Sequence, residues 1–166
     1  GEVVDIVPER VAVKALYHDC SEIFTGDLPT PIKYANSKIS TAYKEIEHRS
    51  LQNLLEELPN ELQGEFEQYV CMKEAEDEDA DTVEIYEAKL VKAADKISAY
   101  IKCIDETKAG NDEYKQAKRT IKRSIAEYKM PEVDYFVETM LPAVSKRSSM
   151  VFMSSSSNCP ASKIAS

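Results

Sequence analysis

Apolar residues recur at three- and four-residue steps along most of the chain, the period of a helix with one covered face. Pro8 suits a first helical position, where its missing N–H costs nothing, and Val11, Val13, Leu16 and Tyr17 then predict a largely buried helix reaching about Cys20. Residues 25–31 interrupt the pattern. Gly26, Pro29 and Pro31 do not belong in regular helix, so an ordered loop is expected there. Ile39, Tyr43, Ile46, Leu51, Leu54, Leu55 and Leu58 predict a long amphipathic helix ended by Pro59, with one five-residue step between Ile46 and Leu51. Leu62, Phe66, Tyr69 and Val70 place a further helix from about Asn60 to Met72.

The next stretch is acidic: six of the eight residues from Glu74 to Asp81 are Asp or Glu, which reads as a solvated loop. Calcium loading is the sharper alternative, but the run lacks the glycine and the spacing of an EF-hand loop. Asp81 and Glu84 have the spacing of a capping box, and the helix they open is predicted to run to about Ala109, with Lys108 in its last turn and Gly110 beyond it. Asn111 or Asp112 is expected to cap a helix carrying Tyr114, Ala117, Ile121 and Ile125. Pro131 opens another with Val133, Phe136, Val137 and Met140, which Pro142 ends or kinks. From Ser145 the chain turns serine-rich and loses its periodicity, as in a disordered or non-native tail.

Composition supports helices. The chain has four glycines and seven prolines among 166 residues, too few for a turn-rich β fold. A formal charge of −9 disfavours a polymeric nucleic acid as partner. Small anions remain possible, because a metal can invert the field inside one site. Cys20, Cys71, Cys103 and Cys159 lie far apart and form no C-x-x-C pair, so reduced thiols in a cytoplasmic protein are expected. No run reaches membrane-spanning length.

Two features carry chemistry. His18 and Asp19 are neighbours at a helix end, and an imidazole beside a carboxylate can ligate one divalent metal. Glu22 lies four residues after His18, within reach of a water on that metal, and Asp27 sits on the proline-stiffened loop. The bland alternative is a satisfied core histidine and a solvated glutamate. The second feature is Asp95. Leu90, Val91, Ala94, Ile97, Ser98, Ile101 and Ile104 read as the apolar face of their helix, and Asp95 is expected to point toward it. A carboxylate there needs a cation, with Lys92 as the plain choice and a metal shared with His18 and Asp19 as the other. His48 reads as a surface residue, and Ser21 has no relay of its own. No phosphate-binding G-x-x-x-x-G-K-[ST] loop or dinucleotide G-x-G-x-x-G turn is present.

The run from His18 to Pro31, H-D-x-S-E-x-x-T-G-D-L-P-T-P, together with Leu90-Val91-Lys92-Ala93-Ala94-Asp95, resembles the HD-domain 5′-deoxynucleotidases of the YfbR type. The likeness spans about residues 9–145 and also takes in Glu9-Arg10 and Tyr43-Lys44-Glu45-Ile46-Glu47. It implies an all-α HD-domain helical bundle over residues 1–145 with the family's first helix or helices missing, followed by the tail of 146–166. The family takes a fourth metal ligand from an earlier histidine and contacts substrate through an Arg-Trp pair. Residues 1–17 contain no histidine, and the chain has no tryptophan. The resemblance makes His18, Asp19 and Asp95 metal ligands, Glu22 the catalytic glutamate, and Asp27, Leu28, Pro29 and Thr30 the substrate loop. It further implies a divalent cation (Co²⁺, Mn²⁺, Zn²⁺ or Fe²⁺), a deoxynucleoside 5′-monophosphate as substrate and a homodimer, with no nucleic-acid polymer or membrane as partner. The rival readings are an HD hydrolase of another nucleotide, triphosphate, cyclic or signalling, and a non-catalytic helical dimerisation module.

Overall fold

The computed structural model describes residues 5–33, 35–72 and 81–143. Among these residues there are eight α-helices, one π-helical segment and no strand. The all-α expectation holds. The chain divides into two compact units, Gly1–Val91 and Lys92–Ser166. The acidic run before Asp81 and the serine-rich tail lie outside the described residues.

In the first unit, α1 (Pro8–Tyr17) packs on α5 (Asn60–Val70), and α4 (Ser37–Glu56) packs on α5 and on the short helices α2 (Glu22–Thr25) and α3 (Thr30–Lys33). α1 starts at Pro8 as its sequence requires, but it stops at Tyr17, three residues early. The expected apolar burial of α1 is also overturned: Leu16 is 80% exposed, and the buried residue is Lys14. Polar partners explain the inversion. The Lys14 ammonium lies 2.8 Å from Glu87 Oε2, and Arg10 Nη2 lies 2.7 Å from Glu87 Oε1. Glu87 has no exposed surface. A buried charge is tolerated when it is paired in this way.

Asn36 caps α4, its side-chain oxygen accepting the Ile39 N–H at 3.0 Å. α2 and α3 are the two ends of what reads as a single loop, and only residues 26–29 between them are irregular. Gly26 terminates α2 with φ +67°, and its N–H donates to the Glu22 carbonyl. A Cβ at Gly26 would meet nothing within 4 Å, so the glycine is needed for its backbone angle, not for space. Gly26→Ala is therefore expected to cost about 1–3 kcal/mol, measurable as a lower urea midpoint. An unchanged midpoint would show that the angle relaxes freely.

α6 (Thr82–Lys108) opens on the predicted capping box. The Asp81 carboxylate accepts the Glu84 N–H at 2.7 Å, and the Glu84 carboxylate accepts the Asp81 N–H at 3.3 Å. It closes in a Schellman turn: the Gly110 N–H donates to Thr107 O, the Asn111 N–H donates to Glu106 O, and Gly110 has φ +93°. The buried side of α6 changes along its length. Glu87, Ala88 and Val91 are buried first, then Ala93, Ile97, Tyr100, Cys103 and Ile104. At 100° per residue Ala93 lies about 200° around the helix from Val91. The single continuous face expected from the sequence is thus wrong, and Ala94 is exposed while Ala93 is buried.

The second unit adds α7 (Tyr114–Ala126) and α8 (Pro131–Tyr135). Its buried residues include Ile97, Tyr100, Ile104, Ile125, Met130, Val133 and Leu141. The N-cap of α7 is Glu113 with no side-chain bond, not Asn111 or Asp112. Both expected caps are committed elsewhere: the Asn111 N–H closes α6, and Asp112 accepts from Lys115 Nζ at 2.8 Å. α8 continues as a π-helical segment, Phe136–Met140. In regular helix the Pro142 ring would meet the carbonyl of Glu138, and the π segment is where the ladder adjusts to it.

Candidate metal and phosphate-hydrolysis site

The end of α1 runs into α2 through overlapping turns, with Cys20 N–H donating to Tyr17 O and Glu22 N–H donating to Asp19 O. These turns hold His18 and Asp19 side by side. His18 Nδ1 lies 2.8 Å from the Ala15 carbonyl, which can only accept, so Nδ1 carries the proton. In the neutral ring Nε2 then presents a lone pair. It lies 2.9 Å from Asp19 Oδ2, which is also an acceptor. Two acceptors face each other stably when a proton or a cation lies with them. Donors 2.9 Å apart also span the cis edge of an octahedral site with bonds of about 2.1 Å. The pair thus fits a divalent cation as two of its ligands. No group of three or more His, Cys, Asp or Glu side chains is gathered for a metal among the described residues.

Glu22 stands in the field of this pair. Burial raises its carboxyl pKa, the negative charges of Asp19 and Asp27 raise it further, and Lys33 and His18 pull it back only in part. A glutamate raised in this way holds its proton to higher pH than usual, which suits a group that transfers protons. Asp19 and Asp27 are exposed and Leu28 is half-buried. Three acids collected here would repel a phosphate dianion unless a cation joined them.

Lys33, to which the sequence analysis gave no role, lies at the end of α3. Its ammonium is 2.7 Å from Glu47 Oε1 on α4 and 4.4 Å from the centroid of the Tyr43 ring. The spacing of Tyr43 and Glu47, one turn apart, was visible in the sequence, but their common partner on another helix was not.

Asp95 departs from expectation. It is exposed, four residues beyond Val91 on α6, and so is not a buried carboxylate in need of rescue. Its charge is felt by Tyr128, whose hydroxyl pKa is raised first by burial and then by Asp95. His48 is exposed, as expected of a surface residue. Cys20, Cys71 and Cys103 form no disulfide. Burial raises the Cys20 thiol and pushes Cys71 up to about 11, so neither is a ready nucleophile. No helix among the described residues is long and apolar enough to cross a membrane.

The family model described as 5′-deoxynucleotidase YfbR-like matches residues 2–144. A 5′-deoxynucleotidase of Vibrio vulnificus is 47% identical over 135 residues, 81% of this chain and 66% of the relative. One from Vibrio atlanticus is 44% identical over 136 residues, and one from Yersinia pestis is 47% identical over 137, each covering 82% of this chain and 66% of the relative. The chain thus spans just under two thirds of the length of these relatives. By the extent of the family match and the level of these identities, the chain belongs to the YfbR-like 5′-deoxynucleotidase family.

Proposed function

We propose that the protein is a metal-dependent phosphomonoesterase that hydrolyses deoxyribonucleoside 5′-monophosphates to deoxynucleoside and phosphate. The observation that carries this reading is the His18–Asp19 pair, two metal-competent acceptors 2.9 Å apart beside a glutamate of raised pKa. The names of the relatives support the substrate class. His18 and Asp19 hold a divalent cation, Co²⁺, Mn²⁺, Zn²⁺ or Fe²⁺, with Asp95 as a further ligand; Asp95 enters on the resemblance alone. When bound, the cation supplies charge against the phosphoryl oxygens and acidifies a water. Glu22 takes the proton of the attacking water or orients it. The loop of Asp27, Leu28, Pro29 and Thr30 receives the sugar, with Asp27 facing it. A homodimer is part of the proposal. Leu16, Ile23 and Phe24 are 80, 72 and 55% exposed, and such apolar surface supports an assembly.

Phosphate release from dAMP, dGMP and dUMP against AMP, with each metal in turn, tests the proposal. Phosphate release that favours the deoxynucleotides and that Asp95→Ala abolishes is the expected result. Hydrolysis confined to triphosphates or cyclic nucleotides would move the chemistry to another substrate. No metal uptake and no phosphate release would leave a non-catalytic helical module.

A further inference from the structure

We propose that Lys33 is a positioning residue, a clamp that fixes the Gly26–Pro29 loop on α4 and thereby sets both affinity for the deoxynucleotide and discrimination by its sugar. The proposal rests on the nucleotidase reading above. Its physical basis is local. α3 has four residues, too few to hold itself as a helix, so its place depends on what grips it. Apolar burial contributes little at Ile32, which is 51% exposed. The grip is polar instead. Lys33 Nζ meets Glu47 Oε1 at 2.7 Å, with side-chain exposures of only 26% and 24%. The same ammonium stands 4.4 Å from the Tyr43 ring, and Tyr43 is 7% exposed. A partly desolvated cation with a carboxylate and an aromatic face is held more firmly than a surface ion pair.

Tyr43 supports this reading in a second way. Its hydroxyl is buried without a hydrogen-bond partner among the described residues. What Tyr43 offers Lys33 is its ring, which the ammonium sits over at 4.4 Å from the centroid. The other end of the loop is tied at Gly26, whose N–H donates to Glu22 O. The loop therefore hangs between two anchors, one of them the proposed catalytic glutamate and the other Lys33. Loosening the second frees Asp27, and in Glu47→Gln the Lys33 charge that acts on the Glu22 carboxyl is kept, so there substrate binding should suffer more than the chemical step.

The experiment compares Lys33→Met, Lys33→Arg, Glu47→Gln and the double variant Lys33→Met with Glu47→Gln, in the full protein loaded with Co²⁺. It reads kcat and KM for dAMP and AMP, and amide exchange of Gly26, Asp27 and Leu28. Lys33→Met and Glu47→Gln should each raise KM for dAMP by about tenfold, and in Glu47→Gln, which keeps the Lys33 charge near Glu22, kcat should hold within about threefold. The dAMP-over-AMP preference should fall and exchange in the loop should quicken. Lys33→Arg, which keeps charge and ring contact, should restore most of this, and the double variant should be no worse than either single one. Unaltered exchange would overturn the clamp. Faster exchange with unaltered KM and preference would also overturn it, leaving a merely structural ion pair. Wild-type protein that hydrolyses no deoxynucleotide with any metal would defeat the nucleotidase reading instead, and exchange alone would then sustain or overturn the clamp.

Discussion

Glu87→Gln is expected to destabilise the protein by about 3–5 kcal/mol, the usual consequence of removing one partner from a buried ion pair. At about 2–4 °C per kcal/mol for a chain of this size, Tm would fall by on the order of 10 °C. Glu87 is fully buried, and Lys14 beside it is 3% exposed. Without the carboxylate, the Lys14 ammonium keeps its desolvation cost and loses what offset it. Arg10 has side-chain exposure of 31% and can turn partly to water, so the cost falls mainly on Lys14. The matching rescue is Glu87→Leu combined with Lys14→Met. With both charges gone, stability should return close to that of the wild type. If Glu87→Gln moved the urea midpoint by less than a surface substitution does, the triad would carry no weight in the fold.

The same triad predicts a pH dependence. Burial pushes the Glu87 carboxyl up, but hydrogen bonds from Arg10 and Lys14 and their charges outweigh it and leave the pKa below that of an ordinary glutamate. A carboxylate with a depressed folded-state pKa contributes stability that is fully present above its unfolded value, about 4.3. That contribution is lost as pH falls through the lower, folded value. Wild-type protein should therefore lose this part of its stability in acid, and Glu87→Gln should lack that part of the acid transition. Urea midpoints at neutral and acid pH measure the difference.

The second large effect separates a metal ligand from a proton handler. Glu22→Gln is expected to lower phosphate release by about 10²–10⁴-fold while metal content stays at the wild-type level. His18→Ala should remove both metal and activity, because Nε2 is the donor that no neighbouring side chain replaces. Metal analysis beside single-turnover rates decides between the roles. Loss of metal in Glu22→Gln would place Glu22 among the ligands and require another group to move the proton. The pH profile offers a further check. A rate that needs the Glu22 carboxyl ionised should carry an acid limb set by that group. That limb should vanish in Glu22→Gln.

Much of this was legible in the sequence because local rules governed it. Pro8, Pro59, Asp81–Glu84 and Gly110 act within one turn of themselves, and each helix end they marked is observed within a few residues. The pairing of His18 with Asp19 was legible for the same reason. What failed depended on distant partners. Lys14 had no part in the apolar reading of α1, and its like charge to Arg10, one turn away, is unfavourable without an acid beside them. That acid was Glu87, more than 70 positions away. The face of α6 was misjudged because the buried side of this helix changes along its length. Asp95, read as buried, falls just past that change.

The π segment before Pro142 has a consequence for how this chain tolerates change in length. In an unbroken helix the residue seven positions after Val133, Met140, would lie almost beneath it. Instead Met140 is 50% exposed and Leu141 is buried at 7%, so the wide turn has moved the interior position along by one residue. A wide turn is how a helix absorbs a single inserted residue without rotating everything that follows. Phe136–Met140 is thus the stretch where this helix can change by one residue in length and still deliver the same leucine to the interior.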